Sequence, residues 1–248
     1  MARDVKTLAD YILGSQEDNN STQMVLGGHD TGCSIVWETC RRYPDLVKGT
    51  FSIISSFVNS TKEPTSSLSR FQFWEYQLKL DYTEKEESIK DVDRLSRLFH
   101  AIYGATDPST RYAVSLDRGI DLNVLSSLWK SPILSEAEAE YFTQILLLRQ
   151  ATGRGPPLQG MLSWHRVGRI YHDREWEANT SIIPLATPAF MVIARVDGAV
   201  PASLAREIDE RFRNVEVAQV DSLGFIIRQA SDQINQHLNT WLRKLEGN

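Results

Sequence analysis

Asp30 stands in the middle of Gly28-His29-Asp30-Thr31-Gly32, between a short apolar run and a helix pattern. A small-x-acid-x-small sequence at a strand-to-helix junction fits a sharp turn that lifts its central residue above a sheet, where a carboxylate can act as a nucleophile. The amides and dipole of the following helix favour an anion, which keeps that carboxylate ionised. A second reading fits the same five residues: an ordinary strand–helix turn with an aspartate cap. The five histidines, His29, His100, His165, His172 and His237, form no zinc-type spacing with each other or with the two cysteines. Gly153-Arg-Gly-Pro-Pro157 is followed by no glycine–lysine pair and reads as a turn, not a phosphate loop. No cofactor and no metal is implied.

The elements that would hold Asp30 follow from the hydrophobic pattern. Residues 2–13 place Val5, Leu8, Ala9 and Leu13 on one side of a helix. Gln23-Met24-Val25-Leu26 is a short apolar run of the kind buried in a parallel sheet. Thr31–Tyr43 reads as a helix stopped by Pro44, and Lys48–Ser56 as a second strand. Ser60–Ser69 is a polar, Ser/Thr-rich linker. From there to Ile182 the chain turns helical and tryptophan-rich, with candidate helices at Arg70–Leu80, Val92–Tyr103 and Glu136–Ala151. Strand signal returns at Ala189–Val196, followed by a helix over Ser203–Arg213, a strand over Val215–Asp221 and a closing helix over Ser231–Leu245. Strands alternating with helices predict an α/β parallel sheet, residues 1–59 and 183–248, interrupted by a helical cap over 60–182.

Composition narrows the partners. A formal net charge of -5 gives nothing to attract nucleic acid or an anionic membrane surface. No apolar run approaches the ~20 residues of a membrane span. Cys33 and Cys40 lie on one helix pattern, their Cα atoms ~10 Å apart at ~1.5 Å rise per residue, too far for a disulfide. A reducing, cytoplasmic compartment fits.

Longer stretches carry a resemblance. Leu26-Gly27-Gly28-His29-Asp30-Thr31-Gly32 with Arg41-Arg42-Tyr43-Pro44-Asp45-Leu46-Val47-Lys48-Gly49 resembles the nucleophile elbow and next strand of the epoxide hydrolases, the aspartate-nucleophile branch of the α/β-hydrolases. Phe73-Trp74-Glu75-Tyr76-Gln77-Leu78 resembles the cap segment that carries the first of the family's two epoxide-protonating tyrosines. Gly160-Met161-Leu162-Ser163-Trp164-His165-Arg166 resembles the segment of the second, with His165 in its place. Asp197, after a strand, matches the acid of the triad. Asp221–Asn235 matches the end of the family, where Asp-x-Gly-His-Trp introduces the catalytic histidine. The resemblance implies an α/β-hydrolase sheet with helices on both faces and an inserted helical cap. It implies catalytic roles for Asp30, Tyr76, His165 and Asp197, an apolar small-molecule substrate, and His29, Thr31, Trp164 and Phe225 lining its site.

The chain departs from the family pattern in ways that shape its expected chemistry. Gly224 occupies the catalytic histidine's position and Phe225 that of the tryptophan. Thr31 replaces the tryptophan that binds halide in haloalkane dehalogenases, which disfavours dehalogenation. The chain starts at the helix before the elbow strand, where the family carries its first strands and oxyanion loop. A shortened hydrolase of this kind would leave Gln23–Leu26 as a hydrophobic sheet edge, expected to be covered by a second copy or another chain. Three functions follow from the resemblance: an enzyme that guides cyclisation or isomerisation of an electrophile, a hydrolase with another base or one completed by a partner, and a non-catalytic binding or assembly module.

Overall fold

The computed structural model describes residues 1–14, 23–54, 83–115, 119–163, 186–195, 214–222 and 225–247. In chain order the elements are α1 (Ala2–Leu13), β1 (Met24–His29), α2 (Gly32–Arg42), a 3-10 turn (Pro44–Leu46), β2 (Val47–Ile53), α3 (Thr83–Ser88), α4 (Val92–Ile102), β3 (Val114–Ser115) and β4 (Gly119–Ile120). Then come α5 (Leu122–Leu125), α6 (Glu136–Ala151), β5 (Ala189–Ala194), β6 (Val215–Val220), α7 (Ile226–Gln229) and α8 (Ser231–Glu246). They fall into two units, Met1–Asn59 with Ser181–Asn248, and Ser60–Thr180.

The first unit is a parallel four-stranded sheet of order β1-β2-β5-β6. Its residues show why both faces are covered. All six residues of β5 are buried, so this strand needs apolar cover above and below. On one face Phe51 lies between Gly27 of β1 and Phe190 of β5 in register, and the Phe190 ring stacks on Trp241 of α8 at 5.7 Å between centroids. A Cβ on Gly27 would fall 1.9 Å from the Phe51 ring, so the missing side chain makes room for the aromatic. Gly49 gives way in the same manner to Leu245 and Trp241 of α8. On the other face Cys33 and Trp37 of α2 pack with Ala189, Met191 and Val215. Both cysteines are buried, and neither forms a disulfide.

Strand β1 differs from β5. Met24, Val25 and Leu26 are half-buried while Gly27 and His29 are exposed, and among the described residues β1 pairs with β2 alone. It is one edge of the sheet. The strand and helix expectations in this unit hold to within a few residues at each end, with β2 and β5 two to three residues shorter than expected at their C-terminal ends. The expected helix over Ser203–Arg213 lies outside the described residues.

In the second unit α4 packs on α6 around Leu95, Leu98, Ala101, Leu125 and Leu158, with Phe99 and Phe142 5.3 Å apart. Each helix is started by its sequence. Asp91 caps α4 by accepting from the Arg94 amide, and Ser135 and Glu138 form a reciprocal capping box on α6. The reading of this stretch as having little strand signal misses the β3–β4 hairpin, whose strands of two residues each are too short for any alternation to register. The linker Ser60–Ser69 and the helix expected over Arg70–Leu80 lie outside the described residues.

The aromatic stack gives a direct check. Trp241 is 4% exposed and Phe190 3%. Trp241→Ala is expected to remove about 3–5 kcal/mol of stability, the usual effect of emptying a buried tryptophan site, read as a lowered urea midpoint.

Candidate functional site

Strand β1 ends at His29, and the chain turns into α2 within two residues. Asp30 makes that turn with φ +50, a left-handed conformation that aspartate tolerates better than most side chains. Two backbone bonds fix it: the Asp30 amide donates to the Ile53 carbonyl at 3.0 Å, and the Cys33 amide donates to the Asp30 carbonyl at 2.9 Å. The first turn of α2 comes down so closely that a Cβ on Gly28 would meet Cys33 N, Cys33 Cα and the Gly32 carbonyl carbon at 2.7–2.8 Å. All of these are backbone atoms and none can swing aside. Gly32 is different. Nothing lies within 4 Å of where its Cβ would be, which corrects the expectation that the turn demands glycine-sized residues on both sides.

The Asp30 residue is exposed, and its carboxylate accepts no hydrogen bond among the described residues. The capped-turn reading requires such a bond to the first turn of α2, so the geometry argues against it. His29 beside it is also exposed. Partial loss of hydration against the protein lowers the imidazole pKa from its ordinary value, with the Asp30 charge opposing as the smaller influence.

The neighbouring strand ends are stitched to the elbow in sequence. Ile54, directly after β2, donates its amide to Val192 at 2.9 Å, and Arg195, directly after β5, donates to Val220 at 3.0 Å. Ile54 has φ +69, a rare conformation for a β-branched residue, and is buried. Arg195 Nε lies 2.8 Å from Asp221 Oδ1, an exposed ion pair joining the ends of β5 and β6. Neither Ile54 nor Arg195 carries a local sequence signal that marks it, because each is defined by a neighbouring strand.

Of the residues expected at the site, His29, Asp30 and Thr31 come together at the β1–α2 turn. Phe225 caps α7 beyond β6, which lies three strand spacings, ~14 Å, across the sheet from β1. Tyr76, Trp164, His165, Asp197 and Gly224 lie outside the described residues. His100 belongs to the helical unit, where its Nδ1 accepts from the Ser131 amide at 3.1 Å and its Nε2 faces Glu136 at 3.5 Å. His237 is an exposed position on α8. Among the described residues there is no cluster of His, Cys, Asp and Glu that could hold a metal ion, and no helix long and apolar enough to cross a membrane.

No family model matches the chain. Epoxide hydrolase srdG of Neurospora crassa is 22% identical over 247 residues, covering 92% of this chain and 68% of that protein. Bifunctional epoxide hydrolase 2 of Mus musculus is 23% identical over 227 residues, 89% of this chain but 39% of the relative's length. A laboratory-evolved variant of potato epoxide hydrolase superposes with a TM-score of 0.71 at 16% identity, over 98% of this chain and 75% of its own. Epoxide hydrolase A from Mycobacterium thermoresistibile gives 0.70 at 18% identity, over 98% and 74%.

The chain has an epoxide-hydrolase-like α/β-hydrolase fold. In such a fold ligands bind beyond the carboxyl ends of the strands, which is where His29, Asp30, Ile54, Arg195 and Asp221 stand. The elbow of this hydrolase fold makes a paired prediction. Gly28→Ala is expected to lose about 1–3 kcal/mol through backbone overlap. Gly32→Ala, at the first position of a helix with open space around it, should lose nothing and gain up to about 1 kcal/mol. Chemical denaturation of the two variants checks both.

Proposed function

We propose that this chain is an epoxide-hydrolase-type enzyme that attacks an apolar epoxide, or a related electrophile, through Asp30. The observation that carries the reading is the Asp30 carboxylate, held on a left-handed elbow at the start of α2, exposed and without a hydrogen-bond partner among the described residues. Its relatives' names support the substrate class. Attack forms an ester between Asp30 and the opened ring while Tyr76 and His165 protonate the leaving oxygen. Water then cleaves the ester. Gly224 stands where the family's base would be, and Asp197 has lost the partner it would orient. General-base assistance contributes typically 10²–10⁴-fold, so hydrolytic turnover is expected to be slow. Guided cyclisation or isomerisation, which needs no water, is the corresponding role in a natural-product pathway. The buried cysteines Cys33 and Cys40, neither in a disulfide, fit a cytoplasmic protein, and burial pushes the Cys40 thiol up and keeps it unreactive.

A second reading is a non-catalytic module that dimerises through its sheet. It is favoured by one observation: β1 pairs with β2 alone among the described residues, and its apolar residues are half-buried. An open strand edge is a template for pairing with another chain, here a second copy.

Incubation with a panel of aryl and alkyl epoxides followed by intact mass measurement is expected to show an adduct on the wild type and none on Asp30→Asn. The absence of both adduct and diol with every epoxide tried would sink the nucleophile. Sedimentation should show a concentration-dependent dimer, and a monomer at every concentration would remove the pairing reading.

A further inference from the structure

We propose that His29 is the base that activates water in the second half-reaction. The inference rests on Asp30 being the nucleophile, as proposed above. The described histidines leave few alternatives. His100 is committed to Ser131 and Glu136 within the other unit, and His237 lies on α8. His29 alone among them adjoins the elbow, at the carboxyl end of β1, and shares solvent exposure with Asp30.

Geometry and charge both suit the role. Consecutive Cα atoms stand about 3.8 Å apart, and a general base acts at hydrogen-bond distance or through one water. The left-handed turn and the bond from the Asp30 amide to the Ile53 carbonyl anchor the nucleophile at the strand end, directly after His29 in the chain. A base must also be unprotonated when it works. His29 is exposed as a residue but its imidazole is partly desolvated, which lowers its pKa, and the opposing charge of Asp30 is neutralised once that carboxylate is esterified. Beside it stand the apolar Ile53, last residue of β2, and Ile54 directly after it, and the first turn of α2 carries Gly32, Cys33 and Ser34, of which only the buried Cys33 thiol is titratable. Ester formation thus switches off the one charged neighbour that favours the imidazolium.

The step balances without another reactant. Asp30 Oδ bonds to an epoxide carbon, the ring C–O bond breaks, and the released oxygen takes a proton from the donors proposed above, Tyr76 or His165. Water then adds to the Asp30 ester carbonyl while His29 accepts its proton. Collapse of the tetrahedral intermediate breaks the ester C–O bond, and the departing alkoxide takes the proton back from His29. The diol leaves, and the carboxylic acid left at Asp30 returns its proton to the group that protonated the ring oxygen, which regenerates the carboxylate with one oxygen derived from solvent.

A single-turnover experiment with styrene oxide in ¹⁸O-labelled water tests this on the full chain, comparing wild type with His29→Gln by quenched intact mass. Wild type is expected to form an adduct that decays and leaves ¹⁸O in the peptide containing Asp30. In His29→Gln the adduct should form but decay about 100-fold more slowly, the low end of general-base assistance. Equal decay in both proteins overturns the role of His29, as does a wild-type adduct that never decays; in either case the nucleophile stands. No adduct and no label in either protein overturns the nucleophile itself. Should His29→Gln fail to fold, the wild-type pH profile decides. Decay must slow as acidification protonates His29, and a decay rate with no such fall overturns the proposal.

Discussion

The close approach of β1 and α2 at Gly28 is the constraint on which the rest depends. With only a hydrogen there, the backbone of Gly32 and Cys33 descends onto the end of the strand, and Asp30 is forced through a left-handed turn. The turn then aims the Asp30 amide at the Ile53 carbonyl, joining the elbow to β2. The same type of bond recurs from Ile54 to β5 and from Arg195 to β6. A displacement of α2 would therefore be felt along the whole row of strand ends. The two faces of the sheet resist such displacement from opposite sides, α2 through Cys33 and Trp37, α8 through Trp241 against Phe190.

The charges at this end of the sheet are arranged on that row and differ in their consequences. Arg195 and Asp221 form an ion pair whose side chains are both largely exposed. Such a pair contributes about 0–1 kcal/mol to stability, so its effect is to fix two side chains and neutralise each other's field. Asp30 has no such partner. Its charge opposes, as the smaller influence, the lowering of the neighbouring His29 pKa by burial. Among the described residues, the carboxylate without an ion-pair partner thus stands at the β1 end of the row.

How much of this could be read from the sequence depends on how local each feature is. Gly28-His29-Asp30-Thr31-Gly32 between a strand and a helix is a contiguous pattern, and the elbow follows from it. The alternation of strands and helices likewise announces a parallel sheet, and the residues of β5, apolar without a break, announce its centre. Gly32 misleads because its composition matches a steric demand that only Gly28 meets. Ile54 is invisible for the opposite reason: its left-handed backbone is imposed by bonds to β1 and β5, which no window around residue 54 contains. The order β1-β2-β5-β6 is also non-local, since more than a hundred residues of chain separate β2 from its partner β5. Tyr76, His165 and Asp197 rest on resemblance alone.

The fold and the chemistry ask different things of the elbow, and this separates evidence for one from evidence for the other. Gly28 is required by packing whether or not the protein is an enzyme, so its presence argues for the fold only. A left-handed residue at position 30 is also a packing requirement, but a carboxylate is not. Glycine adopts that conformation without strain and asparagine tolerates it without charge. An aspartate there keeps a negative charge beside the amides of a helix start yet accepts no hydrogen bond among the described residues, so it forgoes the stabilisation that a cap would give. In the proposed reaction, forming the ester and hydrolysing it would draw on separate parts of the chain. The first is carried by the backbone of the sheet, and the second depends on whichever base stands nearest the ester.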